Sequence, residues 1–292
     1  MILIIGIICD SANDISKEFI DKYNIKVAPI HIKIGDEEFR DGDKGCMEKL
    51  REYMKHSYAQ TTQASFHDVK NLMNELINQG CKEIIGLTMS NQVSGTNNVF
   101  QLVSKELMKE NEDVRIEIID TLNISMGAGV LTLKAAQLRD VGKNFDEITE
   151  QIRSMVSRNS RIMFVVPTLK YLVRGGRIGK ITGSIVEALN IKPVASINKE
   201  GIIYTYLKAR GINNAVKKMI KEIEAEVDKG NIEALAIAYS GNMENTMKNV
   251  EKIRNSFKDT INTIYVGEIN ATLWCYAGIG LVGVAILTKY TE

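Results

Sequence analysis

The 292-residue chain is 45% hydrophobic and 25% charged, enough apolar material for more than one core and too much for a disordered chain. Lys plus Arg number 37 against 36 Asp plus Glu, a formal net charge of +1, which gives no global reason to expect a nucleic-acid partner. Cys9, Cys46, Cys81 and Cys275, like His31, His56 and His67, are scattered without the close spacing of zinc or dithiol chemistry, so reduced thiols and no metal site are expected.

The opening run of residues 1–8 is apolar, lacks a basic flank and meets Asp10 early, so it reads as a buried first strand rather than a signal peptide. No stretch reaches the roughly 20 apolar residues of a membrane span, and a cytoplasmic protein is expected. Asp10 and Ser11 then sit at the strand's C-terminal edge, with Asp14 opening a helix to about Tyr23. Residues 26–34 read as a second strand that breaks at a hairpin tip over 35–38, and residues 44–55 as a helix. The loop Gln60-Thr61-Thr62-Gln63-Ala64-Ser65 carries three hydroxyls and two amides before a helix over 66–78. Ser65 is the expected N-cap, which leaves Thr61 and Thr62 either as turn formers in a solvated loop or as ligand contacts.

Residues 83–88 read as a buried strand that runs into the turn 89–96 and a helix over 93–108. A turn between a parallel strand and a helix N-terminus is where open α/β sheets bind ligands, and free N–H groups there favour an anion. Ser90, Asn91, Ser94 and Thr96 are therefore a candidate anion cradle, with helix capping by Ser94 or Thr96 as the alternative. Residues 114–119 form a further strand ending at Asp120, residues 125–138 a helix opening on small residues that packing or a ligand could require, and residues 144–157 a helix. Strands alternating with helices describe a doubly wound, mainly parallel α/β domain over 1–157.

A second α/β domain, with a mixed sheet and helices, is expected over 158–292. It begins with a strand at 161–166 and then Leu172-Val173-Arg174-Gly175-Gly176-Arg177, a glycine pair between two arginines. Guanidinium groups on such a bend suit a phosphate or carboxylate, though a solvated C-cap has the same composition. Next come a helix over 182–190, a hairpin of 191–197 with 202–207, a helix over 213–227, strands at 233–238 and 260–266 flanking a helix over 242–257, and a final strand at 282–287. The G-x-G-x-x-G string from Gly278 to Gly283 precedes that strand and has no acidic residue about 20 positions on, so it is no dinucleotide fingerprint.

Taken in order, Asp10-Ser11 with Asp14, the Thr61–Ser65 loop, Ser94-Gly95-Thr96, Asp120, Leu172 to Ile178, Ile191-Lys192-Pro193 and Gly278 to Gly283 resemble the motifs of the DegV family of bacterial fatty-acid-binding proteins. The resemblance implies two α/β domains around a long-chain fatty acid, whose carboxylate would be held by Thr61, Thr62, Ser94, Gly95 and Tyr276. It also implies a carrier without catalysis of its own that presents the acid to an ATP-dependent fatty acid kinase for conversion to an acyl phosphate, in the service of phospholipid metabolism. Arg174 and Arg177 would then face the kinase or its phosphate. No cofactor beyond the fatty acid is implied. The chain departs from the family pattern at Cys9 (usually Thr), at Thr62 and Ala64 (usually Ser and Pro), and at Tyr276-Ala277-Gly278-Ile279-Gly280, where the family usually carries His-x-Gly-Pro-Gly. Tyrosine keeps a hydrogen-bond donor but brings no positive charge near neutral pH. A binding or regulatory protein for a different apolar carboxylate is therefore an alternative. An enzyme on a small phosphorylated or carboxylated substrate is another, but it lacks a metal cluster, a G-x-S-x-G elbow or a P-loop in its favour.

Overall fold

The computed structural model describes residues 4–156, 158–181 and 190–290. In chain order the first half comprises β1 (Ile4–Asp10), α1 (Lys17–Tyr23), β2 (Ile25–Ala28), β3 (His31–Ile34), β4 (Glu37–Arg40), α2 (Cys46–Tyr53), β5 (Gln60–Thr61), α3 (Phe66–Asn78), β6 (Cys81–Thr88), α4 (Thr96–Glu110), β7 (Arg115–Asp120), α5 (Met126–Asp140) and α6 (Phe145–Val156). Strands β2-β1-β6-β7 form one parallel sheet. Successive β1 residues point to opposite faces, so Ile7 joins a core with α5 residues Val130 and Leu131, while Ile8 joins a core with Met73 of α3 and Phe100 of α4. Both faces are thus covered, which explains the unbroken apolar runs of β1 and β6.

The second half holds β8 (Ser160–Val165), α7 (Lys170–Arg174), β9 (Ile191–Ile197), β10 (Ile203–Arg210), α8 (Ile212–Val227), β11 (Ile232–Tyr239), α9 (Glu244–Phe257), β12 (Ile264–Glu268), α10 (Ala271–Ala277) and β13 (Val282–Thr288). Its six strands make a mixed sheet in the order β10-β9-β8-β13-β11-β12, in which only β11 and β12 pair in parallel. Helix α5 packs against both sheets and is buried nearly all round, so its small residues serve packing. A Cβ on Gly129 would stand 2.3 Å from the Asn13 carbonyl oxygen.

Several expectations are corrected. The strand expected over 26–34 is two strands in different sheets: β2 stays in the parallel sheet, while β3 turns away into a three-stranded antiparallel sheet, β4-β3-β5. Asp14 opens no helix; it follows a 3-10 turn, Ser11–Asn13, in the left-handed region (φ 52°), and α1 starts only at Lys17. Helix α4 starts at Thr96 rather than Val93, because residues 90–95 form turns closed on the Ser90 carbonyl. The strand expected at 260–266 is β12, shifted to 264–268. Helices α7 and α10, both short, had no sequence expectation. The helix expected over 182–190 lies outside the described residues except for Asn190.

Candidate functional site: a two-chambered cavity

The parallel sheet has its switch point between β1 and β6, because β2 follows β1 on one side and β6 flanks it on the other. Asp10 closes this point: its buried carboxylate accepts from Ala12 N (3.0 Å) and Asn13 Nδ2 (3.2 Å) in the 3-10 turn that follows β1 and from Met89 N (2.7 Å) beyond β6. Burial outweighs these bonds and pushes its carboxyl up to about 6. Beyond the switch point lies a cavity of about 1000 Å³ of empty space, mouth included. Its walls come from both halves of the chain: Ile30, Met89 and Ile124 from the first, Phe164, Leu172 and Leu281 from the second. Such a wall cannot be told from packed core in a sequence, since the same residue types build both.

One end of the cavity is polar, and the fold explains how each group arrives there. The loop carrying Thr61 and Thr62 is stitched to β3: Ile32 pairs with Thr61, and Thr62 N donates to the His31 carbonyl at 2.9 Å. Ser65 caps α3 as expected, accepting from Asp68 N at 3.0 Å. Asp68 is held in turn by Ser65 Oγ, His31 Nε2 and Arg40, a clasp with no sequence signal because its members are far apart. Opposite the loop, Gly95 gives way to Gln63: a Cβ there would stand 2.2 Å from the Gln63 Oε1. Thr61, Thr62, Gln63, Ser94 and Gly95 all line the cavity.

The other members of the expected cradle do not. Ser90 is buried and donates to the Gly201 carbonyl at 2.8 Å, tying the turn to the β9–β10 hairpin tip. Asn91 uses its N–H on Asp120, and Thr96 is buried, with its hydroxyl on Ala64 N (3.3 Å) and Ser94 Oγ (3.0 Å). Ser94 caps no helix in the usual sense; its hydroxyl meets the Thr96 N–H and hydroxyl at the edge of the cavity.

Tyr276 sits on α10, whose N-terminus is tied to the first half of the chain. Asp41 accepts from Ala271 N and Thr272 N, both at 3.1 Å, and Asp14 accepts from Asn270 N at 2.8 Å and from Ser125 Oγ at 2.5 Å. Burial raises the carboxyls of both Asp14 and Asp41 above the ordinary range. The Tyr276 hydroxyl lies 2.5 Å from Thr61 Oγ1. On the far side of that bond is a second, polar cavity of about 740 Å³ of empty space, lined by Tyr58, Tyr171, Arg174 and Arg177 among others. The Arg174 guanidinium stands 5.4 Å from the Tyr58 ring centroid and that of Arg177 5.6 Å from the Tyr276 ring centroid. Arg177 lines both cavities and donates to Val93 O (3.3 Å) and Gly175 O (2.7 Å). Neither arginine has a carboxylate partner among the described residues. All four cysteines are free and buried, and no group of three or more metal-ligating side chains occurs among the described residues.

The arrangement pairs an apolar chamber and its hydroxyl donors with two guanidinium groups that have no carboxylate partner among the described residues. The family model described as "Uncharacterised protein, DegV family" matches residues 4–289. The chain belongs to the DegV family. A DegV domain-containing protein of Clostridium acetobutylicum is 33% identical over 98% of this chain and 99% of its own length, and a second from the same organism is 31% identical with nearly the same coverage. Among solved DegV structures, one from Thermus thermophilus described by its fatty acid binding has a TM-score of 0.86 at 22% identity, covering 98% of this chain and 100% of its own. One from Ruminococcus gnavus, with vaccenic acid, has a TM-score of 0.85 at 24% identity over 97% and 99%. A stearic-acid-binding protein from Eubacterium ventriosum has a TM-score of 0.87 at 21% identity over 98% of each chain. No helix among the described residues is long and apolar enough to cross a membrane.

Proposed function

We propose that this DegV protein is a cytoplasmic carrier that buries a long-chain fatty acid in the apolar chamber and presents its carboxylate to a fatty acid kinase. The observation that carries the reading is the chamber itself: a mainly apolar cavity whose polar end offers Thr61, Thr62, Ser94, Gly95 and Tyr276 and, among the described residues, no carboxylate. An acyl chain of around 16 carbons supplies roughly 10 kcal/mol of gross driving force at about 0.8 kcal/mol per methylene. A buried carboxylate must be hydrogen-bonded, and neutral hydroxyls do this while leaving it free to react. The fatty acids named for the Thermus, Ruminococcus and Eubacterium proteins support the ligand class. The two halves, 1–157 and 158–292, act in this reading as domains that respectively supply the hydroxyl turns and most of the acyl wall with the Gly-Gly-Arg turn. Arg174 and Arg177 are the groups on which a partner's phosphate would dock, and phosphoryl transfer belongs to that partner.

The test is the double variant Ser94→Ala with Thr61→Ala. Each hydroxyl bonded to a carboxylate contributes about 1.5 kcal/mol or more, so palmitate affinity is expected to fall by roughly 100-fold with the fold intact. Unchanged affinity would place the carboxylate elsewhere. A second reading, a carrier or regulator for another apolar carboxylate, is favoured by Tyr276, whose neutral hydroxyl replaces the family's histidine.

A further inference from the structure

The two chambers are divided by very little. Among the described residues they share only Thr61, Arg177 and Tyr276, and the Thr61–Tyr276 hydrogen bond lies on the boundary. The Tyr276 ring is held there by backbone shape: it fills the space at Gly175, where a Cβ would stand 2.5 Å from Cε1. Gly175 has φ −77°, so space, and not conformation, excludes a side chain. The interlock is reciprocal, for the Tyr171 ring fills the space at Gly278, where a Cβ would stand 2.2 Å from Cε2. Each of α7 and the end of α10 therefore inserts a tyrosine into a glycine slot of the other. Gly175 lies between Arg174 and Arg177, so the arginine turn and the Tyr276 ring are keyed together.

We infer that Tyr276 is a movable partition, a positioning residue that sets how far the bound acid's headgroup is exposed to the arginine chamber. The inference rests on the fatty acid reading. Opening requires that the tyrosine hydroxyl leave Thr61 and that the arginine turn shift together with the ring seated at Gly175. Thr61, freed from Tyr276, keeps a hydroxyl for the carboxylate. The headgroup then faces Arg174 and Arg177 while the acyl chain stays in the apolar chamber.

The experiment uses the full chain loaded with palmitic acid labelled with ¹³C at the carboxyl carbon. Relaxation enhancement of that carbon by a water-soluble nitroxide reports its exposure, which a change of hydrogen bonding alone would not raise. Tyr276→Phe keeps the ring and removes the bond; Gly175→Ala displaces the ring and keeps the hydroxyl. Both are expected to increase the enhancement by about twofold or more, as loss of one hydrogen bond shifts a closed-to-open equilibrium severalfold. An enhancement in Tyr276→Phe equal to the wild type overturns the partition, whether or not Gly175→Ala folds. A bound ¹³C signal in the wild type is itself the check on the fatty acid reading; its absence at saturating palmitate sinks that reading and this inference together.

Discussion

Asp41 is the anchor of the helix that carries Tyr276, and replacing it with alanine should cost both stability and ligand retention. Its half-buried carboxylate accepts from the N–H groups of Ala271 and Thr272 at 3.1 Å. Orphaning two such donors costs about 1–3 kcal/mol each. Against this, burial raises the Asp41 carboxyl, so its charged form carries a desolvation cost that the alanine variant no longer bears. The balance is a net loss of about 2–3 kcal/mol, an apparent Tm decrease on the order of 5 °C for a chain of this size. Differential scanning fluorimetry with and without palmitate measures both effects, and the stabilisation by palmitate should shrink because α10 no longer fixes Tyr276 against Thr61. Asp21→Ala is the control: its pair with Lys17 is solvent-exposed and should change stability by less than about 0.5 kcal/mol. An Asp41→Ala Tm equal to the wild type, with undiminished stabilisation by palmitate, would refute the anchoring argument.

Three further outcomes are expected. Gly278→Ala combines a φ of +64° with a Cβ placed in the Tyr171 ring, so it should destabilise by about 3 kcal/mol or more, measured by urea unfolding. Ala238→Phe builds a ring into the apolar chamber, and each methylene it displaces costs the ligand about 0.8 kcal/mol; isothermal titration should show affinity for long acids falling more than that for short ones. Asp10, raised from 3.8 to about 6, holds its proton more tightly when folded, as do Asp14 and Asp41, whose carboxyls are also raised. The Asp10 contribution is full below about pH 4 and is lost as pH rises through about 6, amounting to about 3 kcal/mol at 1.36 kcal/mol per unit; those of Asp14 and Asp41 have the same sign. Unfolding temperatures across a pH series should therefore rise from pH 7.5 to 5.5 with a slope that Asp10→Asn flattens, and a wild-type slope unaffected by that substitution would contradict the assignment.

Periodicity carried most of the fold because the parallel sheet is built from apolar strands separated by amphipathic helices, and the buried stripes of helices such as α3 and α6 are legible. The run 26–34 failed because nothing local marks where a strand leaves one sheet for another; that is decided by pairing with Gln60 and Thr61, some 30 positions on. The turns holding Thr61, Ser94 and the arginines were legible as polar residues at element ends. Their division of labour was not, since Ser90 and Thr96 look like Ser94 in sequence and differ only in the distant groups they bond. The acidic residues Asp14 and Asp41 reach α10 across more than 200 positions, and α10 itself, seven residues long and almost wholly buried, has no polar face to betray its period. Tyr276 is marked in the sequence only by its departure from the family's usual histidine, and its bond to Thr61 depends on glycines whose role is to leave room.

The most direct test of the central claim is native mass spectrometry of the purified protein, followed by denaturing extraction and identification of the bound molecule. The account predicts one long-chain fatty acid per chain, released on denaturation and replaceable by added palmitate. A protein that is purified empty and takes up no added fatty acid would contradict it.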